Sequence, residues 1–169
     1  AEFDGRITSV PYDKSVKVDT WWDLGISDNM VIWFIQLVGK EIRVIDYYEA
    51  AGFGLDHYAG VLTDRGYLYG KHIGPHDIMH REIGTGKSRI ETASKLGIEF
   101  EVAPNIPVKD GIDAVRMTMN RMWFDKRKTA TGLAALKQYQ EKVDEKRGIS
   151  LGPLHNCASH AADAFRIGV

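Results

Sequence analysis

Cysteine is nearly absent. Cys157 is the only one among 169 residues, so no internal disulfide can form. That usage suits a reducing compartment. Surplus charge is missing too: 22 basic side chains face 23 acidic ones, for a formal net charge of -1. A balance this even argues against coating nucleic acid by global charge, but leaves room for a basic patch offset by an acidic cluster. No apolar run approaches about 20 residues, so no membrane-spanning helix is expected. The first residues, Ala1-Glu2-Phe3-Asp4-Gly5, have neither a charged n-region nor an apolar core, unlike a signal peptide. They also lack a starting methionine, and the chain reads as an excised domain or processed fragment. Internal repeats, low-complexity tracts and domain-scale linkers are not found.

What remains is ordinary globular material, 44% hydrophobic and 27% charged. The length suits one domain, which can bury roughly two thirds of its unfolded surface. Residues 16–23 alternate and are rich in β-formers, which predicts a first strand. Residues 30–38 are almost all apolar, as in a central strand covered on both faces. Residues 41–49 alternate again after the tight turn at Gly39-Lys40. Three strands on short turns make an antiparallel meander.

The pattern then changes. Leu55, Tyr58, Ala59 and Leu62 have helical spacing. Tyr67 to Ile73 reads as a fourth strand that runs out at Gly74-Pro75-His76-Asp77. A short helix is predicted over 88–96 and a fifth strand over Ile98 to Val102. Helices follow near 111–122, where Ile112, Val115, Met119 and Met122 share a face, near 131–146, and from Cys157 to Arg166. The expected fold is α/β: a mixed five-stranded sheet, three strands antiparallel and two parallel, flanked by helices. Right-handed crossovers would set strands four and five parallel to strand one. Residues 1–15 read as an N-terminal arm, loose over its first dozen residues, ahead of a single domain over 16–169.

Three acids stand at places where chemistry could gather. Asp23 ends the first strand, Asp77 closes the fourth, and Asp163 lies on the last helix. Neighbouring strands place their ends roughly 5 Å apart, and the last helix could pack across the sheet. Clustered carboxylates are costly unless a cation neutralises them. Hard oxygen ligands select Mg²⁺ or Mn²⁺ over zinc. Two such ions about 4 Å apart suit phosphodiester hydrolysis. Most of the 23 acids must nevertheless be solvated surface groups, and spacing alone does not single out these three.

The segment Trp22-Asp23-Leu24-Gly25-Ile26-Ser27-Asp28 resembles the opening of the nuclease domain of tailed-phage large terminase subunits. His76-Asp77, after Gly70-Lys71-His72-Ile73-Gly74-Pro75, resembles that family's second acidic position. Ser159-His160-Ala161-Ala162-Asp163 resembles its closing helix motif, and the likeness runs over most of residues 16–168. The resemblance implies an RNase H-like fold and a two-ion Mg²⁺- or Mn²⁺-dependent endonuclease that cuts concatemeric viral DNA during packaging. One ion would lie between Asp23 and Asp77, the other between Asp23 and Asp163. Products would carry 5′-phosphate and 3′-hydroxyl ends. It implies double-stranded DNA, a portal protein and a small terminase subunit as partners, and the host cytoplasm as location. The isolated domain would be monomeric. The family's ATPase motor domain finds no room in this chain. Rival readings are a junction resolvase or transposase-type nuclease, and a non-catalytic DNA- or portal-docking module.

Other signals stay open or recede. Asp28 reads as a turn residue beside Asn29 or as an auxiliary ligand. His160 shares a helical face with Asp163 and would orient it, shuttle a proton, or pack. Gly84-Thr85-Gly86-Lys87-Ser88 looks like a phosphate loop, but Arg81 stands where the full motif needs glycine. It reads either as a glycine loop bringing Arg81, Lys87 and Arg89 to DNA phosphates or as a solvated loop capped by Ser88. Lys126-Arg127-Lys128 would track a DNA backbone or form plain surface. His76 with His80, and His155 with His160, lack the motif of a zinc site.

Overall fold

The computed structural model describes residues 5–23, 30–75, 86, 88–103 and 108–145. Its elements follow in the order β1 (Ile7–Thr8), β2 (Val18–Asp23), β3 (Met30–Val38), β4 (Glu41–Ala50), α1 (Leu55–Arg65), β5 (Tyr69–Gly74), α2 (Arg89–Lys95), β6 (Phe100–Val102), α3 (Val108–Thr118), β7 (Met122–Asp125) and α4 (Ala130–Glu145). Among the described residues the sheet has seven strands in the order β1-β7-β4-β3-β2-β5-β6. The five expected strands are all there and adjacent. The meander is antiparallel, and β5 and β6 run parallel to β2.

Two further strands extend the sheet beyond β4. The helix expected over 111–122 ends at Thr118; a 3-10 turn spans Met119–Arg121, and Met122–Asp125 forms β7. Residues 122 to 124 alternate between faces: Met122 and Phe124 enter one core cluster, and Trp123 packs on the other. That is the period of a strand. β1 pairs with β7, so the segment read as loose is seated on the sheet. Val10 N–H donates to Asp125 Oδ1 at 3.0 Å. Buried Gln36 accepts from Asp13 N–H and donates to the carbonyls of Asp13 and Val16. A polar side chain inside the apolar β3 is thereby satisfied.

β3 alone runs against the other strands. The remaining six therefore end on one edge of the sheet, where open α/β sheets form crevices. Helices cover both faces. Leu55, Tyr58 and Leu62 of α1 and Ala93 of α2 pack with Val18, Trp22, Ile32 and Phe34. Leu133 and Ala135 of α4 pack with Trp21, Val31, Trp33 and Phe124. The α4 contact is close: a Cβ on Gly132 would lie 2.5 Å from the Trp33 ring and 2.7 Å from Tyr47. Only a residue without a side chain lets the helix start there.

Candidate active edge

Asp23 is the last residue of β2 and half-buried. It pairs with Val31 of β3, which pairs in turn with Glu49 of β4. Cross-strand partners point to the same face. Asp23 and Glu49 therefore share one face and one level, two strand spacings or about 10 Å apart at their backbones. Val31 between them is fully buried. On the other side of β2, Ile73 of β5 pairs with Trp21, and β5 ends at Gly74. Tyr47 Oη donates to Glu49 Oε2 at 3.2 Å. Sequence reading passed over Glu49, because its level with Asp23 is set only by the strand register.

The expected adjacency of the Asp23 strand and the strand leading to Asp77 is present. Asp77 and Asp163 themselves lie outside the described residues, as do Asp28, His160, Arg81 and Lys87. Among the described residues, no group of three or more His, Cys, Asp or Glu side chains could hold a metal.

Of the residues expected on DNA, Arg89 opens α2. The preceding Ser88 is buried, and its Oγ accepts from Glu91 N–H at 3.3 Å. The capped helix start is thus the observed role of Ser88. Lys126, Arg127 and Lys128 form the turn after β7 and are all exposed. β7 runs parallel to β4, so this turn faces the same edge as Asp23. Three strand spacings separate β7 from β2, about 14 Å across the sheet.

The backbone of the turn is anchored. Asp125 accepts from Lys128 N–H at 2.8 Å, and Lys126 N–H donates to the Thr8 carbonyl at 2.8 Å. Burial raises the Asp125 pKa, but backbone N–H bonds from Lys128, Val10 and Arg127 outweigh it and hold the carboxyl below its ordinary value. An ionised anchor under three cations fixes the turn while its side chains stay in water. The sequence signal was an Asp immediately before the basic run, a residue that caps turns.

This arrangement defines an RNase H-like sheet: an antiparallel meander joined through β2 to two parallel strands, with a carboxylate at the end of β2. Within that class the fold is that of large-terminase nuclease domains. The P22 large terminase nuclease domain superposes with a TM-score of 0.67 at 14% identity, covering 95% of this chain and 84% of that one. The nuclease domain of the large terminase of bacteriophage SPP1, solved with bound Mn, gives 0.62 at 16% identity, covering 89% and 84%. The large terminase of a thermophilic bacteriophage, solved in complex with ATP-gamma-S, gives 0.71 at 16% identity over 99% of this chain. This chain spans 43% of that larger protein's length. No protein-family model matches the sequence, and no curated protein is similar to it. No helix among the described residues is long and apolar enough to cross a membrane.

Proposed function

We propose that this chain is the nuclease domain of a large terminase subunit, a divalent-metal-dependent endonuclease that cuts concatemeric viral DNA during genome packaging. Its partners would be double-stranded DNA, a portal protein and a small terminase subunit, acting in the host cytoplasm. The observation that carries this reading is the parallel pairing of β2 with β5. It sets Asp23 beside the strand that leads to Asp77. Asp77 is three residues beyond Gly74 in the sequence. Asp163 would supply the third carboxylate, with Asp28 and His160 as auxiliary groups.

The half-buried carboxylate of Asp23 is a hard oxygen donor at the end of β2, which fits Mg²⁺ or Mn²⁺. Two bound ions would supply an activated water and stabilise the leaving 3′ oxygen. Asp23, Asp77 and Asp163 would hold the ions, and the exposed cations would hold the DNA backbone. Backbone contacts carry little sequence information, so cleavage should be weakly sequence-specific. The test is plasmid cleavage. Activity should appear with Mn²⁺, vanish with chelator, and vanish in Asp77→Asn while the circular-dichroism spectrum stays unchanged. Metal-independent cutting, or full activity in Asp77→Asn, would refute the assignment.

The anchored basic turn gives a second expectation. Replacing Lys126, Arg127 and Lys128 together by alanine should weaken binding to an arbitrary duplex in Ca²⁺, measured by fluorescence anisotropy. The slope of log affinity against log salt should fall by up to about 2.7, or roughly 0.9 for each phosphate no longer neutralised. An unchanged slope would place the DNA elsewhere. Arg81, Lys87 and Arg89 would flank the same path.

A further inference from the structure

On the opposite face of the sheet from Asp23, a groove of about 560 Å³ lies between the C-terminal end of α1, β5 and the turn from α2 to β6. Leu62, Tyr67, Tyr69, His72, Leu96 and Glu99 are among its walls. We propose that this groove is a docking site for an arginine or lysine side chain on an extended segment of a partner protein. The proposal is independent of the nuclease reading, since it concerns the other face.

The electrostatics point one way. No lysine or arginine lines the groove among the described residues. Three cations adjoin its lining in sequence: Arg65 is turned into an ion pair with Asp46, Lys71 alternates with His72 and so lies on the other face of β5, and Lys95 closes α2. Glu99 is exposed in the wall, and Ser94 Oγ donates to its Oε1 at 2.7 Å, which steadies the carboxylate. The eleven-residue α1 ends here at Gly66, which adopts φ 71°, and brings the negative end of its dipole. The hydroxyls of Tyr67 and Tyr69 are spent inside, on Asp46 Oδ2 and the Leu62 carbonyl. Their rings are what is left for the groove, and aromatic rings attract cations.

His72 supplies the neutral polar group. Trp22 Nε1–H can only donate, and it does so to Thr20 Oγ1 at 2.6 Å. The same Thr20 hydroxyl bonds His72 Nδ1, at 2.5 Å, which holds the ring in place. Burial lowers the pKa of His72 and keeps the ring neutral. The groove thus offers a neutral imidazole suited to a peptide group, and a carboxylate with aromatic walls suited to a cation. An extended basic segment carries both complements, whereas a nucleic acid backbone would meet Glu99 and a helix C-terminus.

The test uses the full chain, labelled with ¹⁵N, and a capped Gly-Arg-Gly peptide as probe. Saturable shifts should appear at Gly66–Gly70 and Leu96–Glu99. A citrulline peptide of the same shape should bind about two- to fivefold more weakly, and Glu99→Gln should cost a similar factor. Equal binding of the citrulline peptide, no saturable shifts, or the same residues responding to duplex DNA would each overturn the proposal. Loss of plasmid cleavage without loss of peptide binding would count against the nuclease alone.

Discussion

Asp23→Asn is expected to lower Mn²⁺-dependent plasmid cleavage by about a hundred- to a thousandfold, with the circular-dichroism spectrum of a folded domain. The substitution keeps the shape of the side chain, removes its charge and turns one acceptor oxygen into an amide donor. The backbone pairing of Asp23 with Val31 needs neither carboxylate oxygen. A carboxylate that holds divalent ions binds them more weakly once it is a neutral amide with one ligating oxygen. Isothermal titration with Mn²⁺ should therefore show weaker binding in step with lost activity. Glu49→Gln is the informative comparison, because Glu49 lies on the same face and level. Wild-type cleavage in Asp23→Asn, with loss in Glu49→Gln, would move the centre along the row and off β2.

How far the sequence discloses this site depends on kinds of signal. The five strands of the meander and its crossovers were legible because each carries alternation or a bounded apolar run. β7 was not, because Met122 falls in helical step with Val115 and Met119, so a four-residue strand hides inside an apparent helix face. β1 is two residues long and pairs across more than 100 positions, too short and too distant for any periodic signal. Its seating depends on Asp125 and Gln36, polar residues whose partners only the fold reveals. Asp23 was legible as a strand end and through its resemblance to a family motif. Glu49 was not. From Val38↔Glu41 to Ile35↔Val44 the hairpin keeps a constant register, and continuing it would set Tyr48 opposite Val31. An extra residue at Ile45 shifts the register, so that Phe34 meets Asp46 and Val31 meets Glu49. A β-bulge of this kind turns every later side chain to the other face. Which acid accompanies Asp23 is thus decided by one inserted residue in mid-strand.

The residue beside that bulge should be costly to remove from the fold. Asp46 is buried and gathers three donors: Tyr47 N–H at 2.8 Å on Oδ1, with Arg65 Nη1 at 2.5 Å and Tyr67 Oη at 2.9 Å on Oδ2. Arg65 also lies over the rings of Phe34 and Tyr48, which line the same strands. Asp46→Ala leaves a guanidinium and a buried hydroxyl without their acceptor. Breaking a buried pair from one side costs about 3–5 kcal/mol. Arg65 keeps 29% of its side chain exposed, so water recovers part of the loss and the lower end, about 3 kcal/mol, applies. In a domain of this size that should depress the melting temperature by roughly 6–12 °C. Asp46→Ala combined with Arg65→Met should cost less than the two single changes added together, because the double variant leaves no orphaned charge. Additive losses would mean that the ion pair is incidental. The bulge, and with it the facing of Glu49 toward the Asp23 edge, would then be held by the strand pairing alone.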